Sequence, residues 1–339
     1  MGDNGNIILL EAQNIKKWFP VKTNFFRKNE KKYVKAVDGI NISIKKGETL
    51  GIVGESGCGK STLGRTLLKL VEPTEGKIIF NGEDITNLSE KELRSFRHDA
   101  QIIFQDPYAS LNPRMVVSDI IAEPMDIQKS YKTKKERLSR VLELMEVCGL
   151  NKSYINRYPH EFSGGQRQRI GIARALSLKP KFIVCDEPVS ALDVSIQSQI
   201  INLLKEVQTE YDLTLLFISH DLSVVNHISD RVVVMYLGKI VELAETKEIF
   251  EKPMHPYTNA LLQSIPIIGG GNLINSKPAL KGDIPSPVDP PSGCTFHTRC
   301  PIAEKECSSI DSEFIDIGNK HFVSCIKVKD SNFGLAVEK

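Results

Sequence analysis

The chain has 339 residues, 41% of them hydrophobic and 25% charged, an ordinary globular composition that supplies apolar material for one large domain or two modest ones. A formal charge of +2 sets up no polyelectrolyte field that would make nucleic acid the obvious partner, so charge is nearly silent about partners. No window of about 18 apolar residues occurs, and the opening MGDNGNIILLEAQN lacks a basic stretch followed by an apolar run and a cleavage site, so a cytosolic chain that does not span a membrane by itself is expected.

Taken in chain order, the first segments read as strands: ILLEAQNI, then AVDGINISI with Ile40, Ile42 and Ile44 alternating, then ETLGIV running into a glycine loop. A helix is expected from Lys60 to about Val71, stopped by Pro73 and Gly76. GKIIFNGEDI predicts a hairpin turning at Asn81-Gly82, where both central residues need positive φ. Between 106 and 180 the pattern becomes helical, with Leu138, Val141, Leu142 and Met145 on one face of KKERLSRVLELMEV, and this stretch reads as an inserted helical subdomain. The lysine-rich run from Lys129 to Arg137 reads as the solvated face of a helix.

Strands return at KFIVCDE and LTLLFISH, separated by the helix around SIQSQIINLLKEVQTEY, a βαβ unit with parallel pairing. DRVVVMY and KIVEL flank Leu237-Gly238 as a second hairpin. Nine of the seventeen prolines lie between Pro253 and Pro301, too dense for helices or central strands, so this stretch should wrap. The fold class expected is α/β with a mixed β core. A boundary falls near 250, giving 1–250 and a Pro- and Cys-rich C-terminal extension, 251–339.

Three motifs carry chemistry. GESGCGKS at 54–61 fits a phosphate loop between a strand and a helix. Gly54, Gly57 and Gly59 let backbone N–H groups converge on phosphate oxygens, and the helix starting at Lys60 turns its positive end the same way. Glu55, Ser56 and Cys58 complete the loop, Lys60 reaches the β and γ phosphates, and the Ser61 hydroxyl binds Mg²⁺, with Thr62 a second candidate. Such a pattern arises by chance in roughly one chain of this length in 100, so it does not decide alone. Phe182-Ile183-Val184-Cys185-Asp186-Glu187 is an apolar strand delivering two carboxylates: Asp186 for Mg²⁺ through water, Glu187 as the base that polarises or orients the attacking water. Ser163-Gly164-Gly165-Gln166 opens the helical run RQRIGIARAL. Ser followed three residues later by Gln is a capping box that could start any helix, but two glycines inside it cost about 1 kcal/mol each unless their N–H groups are wanted for an anion.

In order and spacing these motifs resemble the ATP-binding cassette family over about residues 8 to 260: the loop at 54–61, a glutamine loop at Gln105 in IIFQDP, the signature at 163–167, the Asp186/Glu187 strand, Ser190-Ala191-Leu192-Asp193, and a switch histidine, His220, in FISHD. The resemblance implies a P-loop NTPase fold with ATP and Mg²⁺ as cofactors, and two cassettes paired head to tail, so that the signature of one caps the γ-phosphate held by the other. It also implies that Gln105 senses Mg²⁺ and water, that His220 contacts the γ-phosphate and orients Glu187, and that Asp193 links the two sites. The aromatic on adenine falls at Phe19 by resemblance, with Trp18 the rival. Phe162 stands where leucine is commoner.

Cys294, Cys300, Cys307 and Cys325 are separated by five, six and seventeen residues. These spacings fit neither the usual zinc pairs nor the ferredoxin patterns, so by spacing alone the set is a metal-like cluster of open identity or a group of buried thiols. HPYTNALL at 255–262, GDIPSP at 282–287 and GCTFHTRCPIAEKEC are similar to the C-terminal extension of ATPase subunits of oligopeptide and dipeptide importers. In that subfamily the four cysteines look like ligands of a four-iron, four-sulfur cluster. FPVKTNFFRKNEKKYVKAVDGI at 19–40 looks more like the F-type than the D-type subunit. The resemblance implies a peripheral protein on the cytoplasmic side of the membrane, paired with a D-type ATPase beneath two permease subunits fed by an extracytoplasmic binding protein, with no nucleic acid. Cargo is peptide by resemblance; nickel, glutathione or another small solute is the alternative, and a soluble cassette acting on DNA or ribosomes a more distant one.

Overall fold

The computed structural model describes residues 7–21, 32–265 and 282–329; part of the basic segment at 19–40 therefore lies outside the described residues. In chain order, β1 (Ile8–Pro20), β2 (Tyr33–Lys45) and β3 (Thr49–Val53) precede α1 (Lys60–Leu67), β4 (Glu75–Phe80) and β5 (Glu83–Asp84). Next come α2 (Leu93–Asp99), β6 (Ala100–Ile103), α3 (Val117–Gln128), α4 (Lys134–Val147) and α5 (Gly164–Leu176). They lead to β7 (Phe182–Asp186), α6 (Val194–Tyr211), β8 (Thr214–Ile218), α7 (Leu222–Ile228), β9 (Arg231–Tyr236) and β10 (Lys239–Glu245). The chain then forms α8 (Thr246–Glu251), α9 (Pro256–Gln263), β11 (Ile315–Asp316) and β12 (Phe322–Val323). Contacts divide it into two compact units: Met1–Glu11, Ser43–Thr49 and Ile79–Ile218 in the first, and Ala12–Ile42, Leu50–Ile78 and Ser219–Lys339 in the second.

In the first unit β6, β7 and β8 are parallel, with Phe182 opposite Ala100 on one side and Thr214 on the other. Every residue of FIVCD and TLLFI is buried, which is why these strands are continuous apolar runs rather than alternating ones. Helix α6 makes the crossover that parallel pairing requires. Helices α3, α4 and α5 pack on one another, giving the helical stretch expected between 106 and 180. The β4–β5 hairpin turns at Asn81 (φ 50°) and Gly82 (φ 83°), as its sequence demands.

Two local expectations are corrected here. The buried stripe of α4 runs through Val141, Leu144, Met145 and Cys148, whereas Leu138 is 45% exposed and Leu142 only half-buried; the i, i+3, i+4, i+7 set starting at 141 won over the one starting at 138. The lysine-rich run is solvated but only partly helical: α3 ends at Lys129 in the left-handed region (φ 54°) and α4 begins at Lys134, with Thr133 accepting the Glu136 N–H as its cap.

In the second unit β3 runs parallel to β9, and β9 and β10 form an antiparallel hairpin through Leu237 (φ 43°) and Gly238 (φ 76°). The short β12 and β11 continue antiparallel from β10, so the sheet is mixed, as expected. Helix α1 ends at Leu67, earlier than Val71, because Lys69 takes a left-handed conformation (φ 53°) well before Pro73 is reached. The proline-rich stretch does contain a helix. Pro256 occupies the first turn of α9, where a missing N–H costs nothing, and the His255 ring nitrogen Nδ1 accepts the Tyr257 N–H at 3.1 Å as the cap. Three ionisable groups are buried together nearby: the Glu242 carboxylate accepts from the Met254 and His255 N–H groups and lies 2.7 Å from Nε2 of His321.

Candidate functional site

The phosphate loop lies in the second unit, between β3 and α1. Two of its glycines are dictated by close approach. A Cβ on Gly59 (φ 105°) would stand 1.9 Å from the Ala36 carbonyl oxygen, and one on Gly54 (φ 152°) would stand 2.3 Å from that of Met235. Gly59 also caps α1 without any side-chain hydrogen bond to the helix, which leaves the first N–H groups of α1 oriented for an anion. Lys60 is buried, and its ammonium donates to the Gly54 carbonyl at 2.8 Å and the Glu55 carbonyl at 3.1 Å. Burial pushes the Cys58 thiol up from its ordinary value, with the Lys60 charge opposing. Ser61 and Thr62 follow in the first turn of α1. In the same unit His220 is exposed, and the preceding residue, Ser219, donates its N–H to the Ile52 carbonyl at 3.1 Å.

The paired carboxylates lie in the first unit. Asp186 ends β7 fully buried. Glu187 follows in the left-handed region at φ 48°, a conformation that costs a residue with a side chain about 1–2 kcal/mol and turns it off the line of the strand. Its N–H donates to the Ile218 carbonyl at 3.0 Å, and its carboxylate accepts from the Gln105 side-chain amide, also at 3.0 Å. The structure thus brings Gln105 and Glu187 together.

Ser163 caps α5: its hydroxyl accepts the Gln166 N–H at 3.3 Å while the Gln166 side chain accepts the Ser163 N–H at 3.0 Å. The capping box is therefore real. At Gly165 the absence of a side chain also has a packing cause, because a Cβ would stand 2.5 Å from Cγ2 of Ile196 on α6. Gly164 is less constrained, with Leu192 at 3.4 Å. Phe162 is buried edge-on to Tyr154, and Asp193 is exposed at the start of α6. Of the two aromatic candidates, Phe19 is 38% exposed, whereas Trp18 is tethered through Nε1 to Asp38 at 3.1 Å.

The four C-terminal cysteines, far apart in sequence, line one small cavity with His255 and His297. The Cys294 N–H donates to the Cys307 carbonyl at 2.9 Å, which closes the loop between them. Burial raises the thiols of Cys294 and Cys325 and pushes Cys300 up to about 11, with neighbouring cysteine charges adding to each shift. Two residues of this region that the motif reading passed over reach the phosphate loop. Arg299 forms a two-pronged ion pair with the Glu55 carboxylate, at 2.6 and 3.0 Å, and the Tyr257 hydroxyl accepts the Glu55 N–H at 2.8 Å. Both stand inside segments that carry the resemblance, Tyr257 in HPYTNALL and Arg299 in GCTFHTRCPIAEKEC, but nothing in those segments signals a contact with Glu55.

Residues 37–190 match the model of the ABC transporter family, and residues 241–307 match the oligopeptide/dipeptide transporter C-terminal region. The chain is 57% identical over 319 residues to the oligopeptide transport ATP-binding protein AppF of Bacillus subtilis, covering 94% of this chain and 96% of that one. It is 51% identical over 325 residues to the oligopeptide transport ATP-binding protein OppF of Salmonella typhimurium, covering 95% and 96%. The chain belongs to the ABC transporter family. Among solved structures, the dimeric post-hydrolysis state of the ATP-binding cassette MJ0796 bound to ADP and Pi aligns with this ABC subunit at a TM-score of 0.62 and 29% identity, over 70% of this chain and 98% of that one. The structure of cbiO1 from Clostridium perfringens, part of the ABC transporter complex cbiONQ, aligns at 0.62 and 29%, over 72% and 91%.

For an ABC subunit, ATP and Mg²⁺ are the expected cofactors. The iron–sulfur expectation fares differently. Among the described residues no group of three or more His, Cys, Asp or Glu side chains is arranged to hold a metal ion, and all seven cysteines are free thiols. What remains is the donor set itself, four sulfurs facing one cavity. No helix among the described residues is long and apolar enough to cross a membrane.

Proposed function

We propose that this chain hydrolyses ATP to power the import of peptides across the cytoplasmic membrane, as a nucleotide-binding subunit of an ABC importer. The observation that carries the reading is a glycine-built loop at an uncapped helix start with a buried lysine folded over it, in a chain 51–57% identical over nearly its whole length to oligopeptide transport ATP-binding proteins. In this reading the domain plan is a cassette over 1–250, with a helical subdomain at about 106–180, and an extension over 251–339.

Lys60 leaves the Gly54 and Glu55 carbonyls to neutralise the β and γ phosphates, while the backbone of 54–59 and the first turn of α1, with Ser61 and Thr62, cradle the oxygens. Ser61, Gln105 and, through water, Asp186 hold Mg²⁺. Glu187 polarises the attacking water, and its hydrogen bond to Gln105 supports a shared role in placing that water. His220 contacts the γ-phosphate. The exposure of Phe19, against the tethered ring of Trp18, supports Phe19 as the adenine platform. Ser163, Gly164, Gly165 and Gln166 serve the nucleotide of a facing cassette, a D-type subunit, and Asp193 links the two sites. Two permease subunits and an extracytoplasmic binding protein complete the importer, and this subunit sits at the cytoplasmic face of the membrane.

For the extension we favour a four-iron, four-sulfur cluster held by Cys294, Cys300, Cys307 and Cys325. Their convergence on one cavity supports it, since four cysteine sulfurs are the ligand set such a cluster takes. Such a cluster would supply a structural cross-link or a redox-regulatory group, and the raised thiols give the physical motive: buried sulfurs must stay protonated or find a cation. Magnesium-dependent ATP turnover by the chain reconstituted with its permeases, stimulated by peptide-loaded binding protein, tests the function. Turnover unaffected by replacement of Lys60 would overturn it. Anaerobic purification with an absorption spectrum and iron and sulfide assays tests the cluster.

A further inference from the structure

We propose that Arg299 and Tyr257, both in the C-terminal module, are positioning residues for nucleotide binding, acting through Glu55. The inference rests on the nucleotide-binding reading above. Glu55 is the second residue of the phosphate loop, and a carboxylate there opposes phosphate binding, because like charge in a poorly hydrated site repels the incoming triphosphate. The structure meets the problem from 244 residues away. Arg299 places Nη1 2.6 Å from Oε2 and Nη2 3.0 Å from Oε1 of Glu55, a fork-to-carboxylate pair that neutralises the charge and fixes its direction. The pair is largely withdrawn from water, with the Arg299 side chain 5% exposed and that of Glu55 24%.

Tyr257 acts on the backbone of the same residue. Its hydroxyl accepts the Glu55 N–H at 2.8 Å, so this amide is satisfied by the protein and the loop conformation is held from behind. The hydroxyl is itself fixed, because the Tyr257 ring is fully buried between Tyr236, at 4.8 Å between centroids, and Phe296, at 5.3 Å. Phe296 and Arg299 lie on the short segment between Cys294 and Cys300. The segment that carries two of the four cysteines is therefore the one that grips the phosphate loop, and anything that loosens it lowers the affinity for nucleotide.

The test uses the purified full-length chain and a fluorescent ATP analogue with Mg²⁺, comparing wild type, Arg299→Met, the double variant Glu55→Gln/Arg299→Met, and Lys60→Ala. Arg299→Met should weaken binding about tenfold or more, because it leaves a part-buried carboxylate without its cation beside the phosphates. The double variant should recover to within about threefold of wild type, since removing the carboxylate removes the repulsion. In the assembled importer, KM for ATP should rise in Arg299→Met with kcat changed less than about twofold. A merely structural contact predicts the opposite ordering, with the double variant no better than the single. The inference is overturned if Arg299→Met binds like wild type while Lys60→Ala does not, or if the double variant stays as weak as the single. Undiminished binding by Lys60→Ala would sink the functional reading, and this inference with it. Should Arg299→Met fail to fold, Glu55→Asp tests the contact from the other side: it keeps the charge but is too short for both prongs, and wild-type affinity in that variant overturns the proposal.

Discussion

Gln105 and Glu187, 82 residues apart, meet through a single hydrogen bond of 3.0 Å from the glutamine amide to the glutamate carboxylate. The bond holds one oxygen of Glu187 in a fixed direction, and the left-handed backbone at Glu187 (φ 48°) sets the direction from the other end. A carboxylate restrained twice in this way is suited to orienting a water molecule, and local backbone strain is the cost of keeping it there.

Glu187→Gln should reduce ATP turnover by about 10²–10⁴-fold and leave ATP affinity within about threefold, because the amide keeps the shape but cannot accept a proton. Steady-state hydrolysis and equilibrium nucleotide binding on one preparation check both halves. Turnover equal to wild type would move the base to another residue.

The glycines of the phosphate loop should separate sharply. At Gly59 an added methyl meets the Ala36 carbonyl oxygen at 1.9 Å, a backbone atom that cannot step aside, whereas at Gly57 it meets nothing within 4 Å. Both have positive φ, so Gly57→Ala should cost about 1–2 kcal/mol for the backbone alone and keep nucleotide binding. Gly59→Ala should abolish binding or prevent folding. Melting temperature with and without Mg-ATP distinguishes them, and equal behaviour of the two variants would contradict the close approach seen at Gly59.

Much of this was legible in the sequence because local chemistry and global fold agree. Asn81-Gly82 permits only a tight hairpin, FIVCD and TLLFI are too uniformly apolar for anything but strands buried on both faces, and the loop at 54–61 announces itself through glycines that the structure needs. What was not legible depends on distant partners. The end of α1 is set by a left-handed Lys69, which no residue-type rule forbids. Gly165 reads as an anion site but also admits Ile196 of α6. The pairing of Arg299 with Glu55 joins the two matched regions of the chain and has no spacing that a motif could record.

Thiol chemistry should divide the cysteines by burial. Cys148 is fully buried and its thiol is pushed up to about 12 by burial, with Arg169 and Arg140 opposing; Cys185, in the middle of the buried sheet, is raised further. Since the thiolate is the nucleophile, neither should react with iodoacetamide at pH 8 in the folded chain, and both should react fully in denaturant. Mass spectrometry of the alkylated peptides reads this directly. Rapid labelling of Cys185 under native conditions would mean that β7 opens.

His255 should make the stability of the second unit depend on pH. Burial pushes its pKa down to about 4, with the Glu242 carboxylate opposing, and its Nδ1 serves as an acceptor for the Tyr257 N–H, a role open only to the neutral ring. Unfolded, the imidazole titrates near 6.5. Above that value neither state carries the proton and the full stability is present. As pH falls below it the unfolded chain takes up the proton and the folded chain does not, so stability declines progressively until about pH 4. By pH 5 the loss from this group is on the order of 2 kcal/mol. His255→Asn keeps an acceptor for the α9 cap without a titrating ring, so its melting temperature should fall less than that of wild type between pH 7 and pH 5. Parallel melting curves for wild type and variant across that range would show that the buried imidazole does not control the decline.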